Sequence, residues 1–131
     1  MTDLLATVHM WLGYIAFVVV VVAAVTAFRH AKDGREFARA PYSGALVLLD
    51  VQVLLGLIVY AVGGYWDARP EIAYVHPGLA LAALGVGHAL LGRSRKVQLA
   101  ADAHRLAGRG LVGALVLLLL AIGVASAPAF L

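Results

Sequence analysis

The chain has 131 residues, 63% of them hydrophobic and 13% charged, with a mean hydropathy of +0.95. A soluble domain is nearer half apolar and carries about twice that charge, so the composition points to a protein of the bilayer with little chain left for a soluble domain. With no cysteine, disulfides, thiolate metal sites and covalent cofactor attachment through a Cys pair are excluded; the net charge of +3 is not a nucleic-acid signature, because the basic residues follow a membrane rule.

Crossing a hydrocarbon core takes roughly 20 mostly apolar residues in a helix, and four such stretches are present. The first runs from about Leu4 to Phe28. It has no basic region before it and is long for a signal core, so it is expected to be retained as a span. It carries His9, Trp11 and Gly13, and Arg29, His30, Lys32, Arg35 and Arg39 follow it. The second stretch, Tyr42 to Gly64, holds Asp50, Gln52 and Gly56. A short turn with Tyr65, Trp66, Asp67, Arg69 and Glu71 leads to the third, Ile72 to Leu91, which contains Tyr74, His76 and His88. After Arg93, Arg95, Lys96, His104 and Arg105 comes the fourth, Arg109 to Ala127.

Of the ten Lys and Arg residues, nine fall after the first and third stretches and only Arg69 falls after the second. The positive-inside rule therefore puts both basic loops in the cytoplasm and both termini outside, with Tyr65, Trp66, Tyr74 and Trp11 in the outer aromatic belt. The chain also reads as two copies of one hairpin. Val8-His9 opens span one and Val75-His76 opens span three, while Gly44-Ala45-Leu46-Val47-Leu48-Leu49 recurs as Gly113-Ala114-Leu115-Val116-Leu117-Leu118. The expected fold is an all-α, integral membrane, antiparallel four-helix bundle of two repeated hairpins, in a single domain.

Polar groups inside hydrocarbon are costly and face a partner or a cavity. His9 and His76 each lie near the outer end of a helix running inward, so their imidazoles should share one depth. Two neutral imidazoles at equal depth can fill both axial positions of a haem iron, and haem b is the expected cofactor. Arg69 is placed to pair with a propionate, and Trp11 and Tyr74 to wall the ring. The plain alternative for each His is an interhelical hydrogen bond. His88 lies twelve residues beyond His76, roughly 18 Å along the helix, at a depth His104 could reach, so these two are candidates for a second, inner haem. Asp50 is a candidate hydrogen-bond partner for His88 or His104, with proton transfer as its other reading.

Spans that open on a His near the outer face, a second helix reading Gln52-Val53-Leu54-Leu55-Gly56 and a third opening on Val75-His76 together resemble one half of the haem A synthase family. That family's fold is two four-helix bundles, each with a His pair near the outer face; the resemblance implies haem binding at His9 and His76. His104-Arg105-Leu106-Ala107-Gly108-Arg109 is similar to the family's His-Arg helix start, although the charge pattern sets it at the inner end. The family's active half carries a glutamate three residues before that pair. Ala6 and Ala101 hold the corresponding places here, so the resemblance does not extend to synthase activity.

Three functions remain in view. The first is a b-type haem protein of the cytoplasmic membrane, for electron transfer or haem handling, with a respiratory complex, a quinone or a second copy of the chain as partner. The second is a non-enzymatic accessory subunit of a larger membrane complex. The third is a small transporter using Asp50 as a proton site.

Overall fold

A computed structural model of the chain describes residues 2–126. These form α1 (Thr2–Lys32), α2 (Ala40–Gly63), α3 (His76–Ser94) and α4 (Ala100–Ser126), with a 3₁₀ turn at Tyr65–Asp67 and a wide π-type turn at Glu71–Val75 running into α3. With that turn counted in the third, all four helices are long and apolar enough to cross a membrane. In lipid the backbone must satisfy its own hydrogen bonds, and a continuous helix does so.

Local chemistry sets the helix ends. Gly34, at φ 67°, closes α1: its N–H reaches Ala31 O at 3.4 Å and Arg35 N–H reaches His30 O at 3.1 Å, the paired bonds of a Schellman stop. Pro41 sits in the first turn of α2, where its missing N–H has no helical partner to lose. Gly64 ends that helix in the left-handed region at φ 66°. Span four starts at Ala100, well before Arg109, because Asp102 and Arg105 form an i,i+3 ion pair at 3.0 Å on turns that hydropathy alone reads as loop. The last residue of the expected span, Ala127, lies outside the described residues.

The π-type turn has a chemical origin. Pro77 has no N–H to give the Ala73 carbonyl and its ring crowds that carbonyl. The helix widens there instead, with His76 N–H reaching back to Glu71 O. Tyr60 Oη–H takes up the Ala73 carbonyl at 3.1 Å.

Around the bundle α1 packs on α2 and α4, and α3 packs on the same two helices, so α1 and α3 stand on a diagonal. The core is made of small and branched residues, among them Val20, Ala24, Ala27, Leu46, Leu49, Ala83, Leu111 and Ala114. The closest packing is between α3 and α4: a Cβ on Gly110 would lie 2.8 Å from Leu90 Cβ, and one on Gly113 would lie 2.8 Å from Val86 Cγ1. Helices in lipid approach in this way because dispersion, not water, holds them together. Outward-facing side chains such as Val18, Val22, Leu54, Ile58, Leu119 and Leu120 are apolar and exposed.

Candidate functional site

His9 on α1 and His76 on α3 come from diagonal helices and meet in the interior, their ring centroids 6.2 Å apart and their planes at 88°. Each imidazole is held from behind. His76 Nδ1 lies 2.8 Å from the Ala121 carbonyl, which can only accept, so Nδ1 carries the proton and Nε2 keeps its lone pair. His9 Nδ1 lies 3.0 Å from Gln52 Nε2, a donor, and the same amide nitrogen donates to the His9 carbonyl at 2.8 Å. In this arrangement His9 carries its proton on Nε2.

Two glycines make the room. A Cβ on Gly56 would sit 2.7 Å from His9 Cε1, and one on Gly13 would sit 2.8 Å from Gln52 Nε2. Gln52 and Gly56 are four residues apart on one face of α2, so the amide and the gap beside it arrive together. Gln52 is buried, and its Oε1 is a buried atom with no hydrogen-bond partner.

Beside the two rings lies a cavity of about 360 Å³, within the range of small-molecule sites. Its walls are mostly apolar, with Leu49, Val53, Leu118 and Ile122 among them and Tyr14, Tyr60 and Tyr65 as the aromatic members. Trp11 and Tyr74 do not line it: they are 59% and 67% exposed, and Trp11 packs edge-on against Tyr14 at 5.9 Å. Both point away from the bundle interior. Arg69 lies half-buried in the turn before α3, where its carbonyl accepts from Ile72 and Ala73 N–H.

His88 and His104 are engaged separately. His88 Nε2–H donates to Asp50 Oδ1 at 2.8 Å, with both side chains nearly half exposed. His104 is 0% exposed and spends both nitrogens on the protein. Its Nδ1 accepts from Tyr42 Oη–H at 2.6 Å, and its Nε2–H is shared between the carbonyls of Arg35 and Glu36. With both nitrogens bonded to the protein, His104 forms a buried knot in this structure. His30 and Phe37 close over it, their rings 5.3 Å and 5.1 Å from that of His104. Of the two partners considered for Asp50, His88 is the one it meets.

Gln52, Gly13, Gly56, Tyr42 and Tyr60 were not among the expected site residues. For Gln52 and Gly56 the signal was present in their four-residue spacing. For Tyr42 and Tyr60 none was, since their partners are a distant ring and a carbonyl released by Pro77.

A scan against protein-family models finds no match to this chain, and searches of the curated proteins and of the solved structures find none either.

Proposed function

We propose that the chain is an integral membrane haem protein of the b type, with His9 and His76 as the two axial ligands, working in electron transfer or haem handling. The observation that carries this reading is the imidazole pair on diagonal helices, centroids 6.2 Å apart, beside an apolar cavity. A bare ion is ordinarily held by three or four protein donors, and among the described residues no three His, Cys, Asp or Glu gather. A haem iron has four donors in its own macrocycle, so two imidazoles suffice. Two metal–nitrogen bonds of about 2 Å, with a ring radius at each end, come close to the observed spacing.

The residues present fit such a group. Ala121 already holds His76 in the ligating tautomer, the supporting role that ligand histidines require. His9 needs its proton on Nδ1, and the unpartnered Gln52 Oε1 is the acceptor that would take it after the amide turns, at the cost of the bond to the His9 carbonyl. Leu49, Val53, Leu118 and Ile122 give the cavity apolar walls, and Arg69, in the turn before α3, is the cation that would face a propionate. When bound, haem supplies reversible one-electron change at iron, tuned by ligand and burial.

The same reading takes the bundle as two antiparallel copies of one hairpin, and the cavity lining supports it. Leu49, Gln52, Val53 and Gly56 of α2 correspond, 69 residues on, to Leu118, Ala121, Ile122 and Ala125 of α4. His9, Met10 and Gly13 of α1 correspond, 67 residues on, to His76, Pro77 and Ala80 of α3. The groups that hold the two imidazoles, Gln52 and Ala121, occupy equivalent places. Charge then sets the basic loops in the cytoplasm and both termini outside the cytoplasmic membrane. The motif resemblance to haem A synthase points the same way for haem. Ala6 stands where that family has its carboxylate, so no oxidation of the haem is proposed.

The test is a visible spectrum of protein purified after haem-supplemented expression. A Soret peak and a reduced alpha band are expected, both lost in His9→Ala and His76→Ala variants that keep their helical circular dichroism. A colourless wild-type protein overturns the reading.

A further inference from the structure

At the basic end of the bundle, between α2 and α3, lies a second hollow of about 170 Å³, lined by Arg39, Ser43, Val47, His88, Gly92 and Arg95 among others. Its walls follow from helical spacing. Arg39, the N-cap of α2, leads by four-residue steps to Ser43 and Val47 on one ridge, and His88 and Gly92 of α3 lead on to its C-cap, Arg95. These two helices pack less extensively than the other adjacent pairs, which leaves a groove between the ridges. The space beside Gly92 is open: a Cβ built there meets nothing within 4 Å. Two arginines and a serine are among the lining residues, and among the described residues neither Arg39 nor Arg95 is in a salt bridge. His88, on the α3 wall, is held by Asp50 at 2.8 Å.

We propose that this hollow binds the phosphate of an anionic phospholipid. Arg39 and Arg95 take the phosphoryl oxygens, as planar guanidiniums do well, and the Ser43 hydroxyl donates a further hydrogen bond. The hollow is smaller than a typical small-molecule pocket, which suits a head group whose tails lie outside. Those tails have a path: the α2 surface continues from the rim into exposed Val47, Val51 and Leu54. Basic pockets between spanning helices are the known chemistry of acidic head groups. A free phosphate shares the chemistry but has no use for the apolar path, and this is why the lipid is favoured.

The test is native mass spectrometry of the full chain released from mild detergent with equal amounts of dioleoyl-phosphatidylglycerol and dioleoyl-phosphatidylcholine, alone and with millimolar inorganic phosphate. One phosphatidylglycerol is expected to stay bound in preference to phosphatidylcholine, and added phosphate should not displace it. In the Arg39→Gln/Arg95→Gln double variant its affinity should fall by roughly thirtyfold, the loss of two cations near the surface. Arg39→Lys/Arg95→Lys should keep most of it, and Arg105→Gln, whose side chain pairs with Asp102, should keep all of it. Equal retention of the two lipids, or unchanged binding in the Gln double variant with its melting temperature intact, overturns the proposal. Full displacement by inorganic phosphate overturns the lipid assignment in favour of a soluble anion.

Discussion

Gly56 owes its importance to what stands beside it. A methyl there would come within 2.7 Å of His9 Cε1, and the ring cannot retreat without breaking its bond to Gln52. If the pair holds haem as proposed, Gly56→Ala is expected to weaken its retention by about tenfold, the usual cost of disturbing a ligand's supporting contacts, with helical content unchanged. Haem titration followed at the Soret band measures this, and an unaltered titration would show that the ring is not clamped there. The knot at His104 makes a different kind of residue-scale claim. Replacing His104 by Ala leaves the Tyr42 hydroxyl and two loop carbonyls without partners in a closed space, at a cost of about 1–3 kcal/mol. Tyr42→Phe removes one donor from Nδ1 and should cost about 1 kcal/mol. Unfolding in mild detergent compares the two, and the double variant should be less destabilised than their sum. Two variants as stable as the parent would mean that the knot holds nothing.

Among the elements, the third span shows a sequence feature turned into position. Pro77 widens the turn before α3, Tyr60 accommodates the released carbonyl, and His76 stands at the junction. Pro77→Ala restores the N–H and lets the turn tighten, with Tyr60 displaced from Ala73. Circular dichroism should show helicity equal to or above that of the parent, while on the proposed haem reading the visible spectrum of the variant shifts or fades. An identical spectrum would separate the proline from the placement of the imidazole. The four helices themselves were legible as apolar runs, since length and hydropathy are all that a span requires. Their ends and facings were less so. The start of α4 was hidden because Asp102 and Arg105 look like loop residues until they are seen to pair across one turn. The outward facing of Trp11 could not be read because α1 is apolar all round, and a helix without a polar stripe gives no phase. The partners of His104 were beyond reach for another reason: two of them are backbone carbonyls in the connection between α1 and α2, which have no side-chain signature.

For the whole molecule, the charge pattern leads to a topology that can be tested because the chain has no cysteine. Single-cysteine variants at Asp67 and at Gln98, both exposed, report from opposite ends of the bundle. In intact cells a membrane-impermeant maleimide should label the cysteine at position 67 and leave that at position 98 unlabelled until the membrane is permeabilised. The reverse pattern would turn the bundle over and place the His9–His76 pair at the inner face.

On α1 the buried residues are Ala16, Val20, Ala23, Ala24, Ala27 and Ala31, and on α4 they include Ala103, Ala107, Gly108, Gly110, Ala114 and Ala121. Where these alanines line a helix contact, Ala→Gly removes a single methyl and the void it leaves is slight, so the main loss is the roughly 1 kcal/mol of helix propensity. Growth is another matter, because any larger side chain must wedge two backbones apart. Along this contact crowding is therefore costlier than hollowing, whereas at Leu46, Leu49 and Leu111, which are almost wholly buried, trimming leaves a real cavity and is the larger loss.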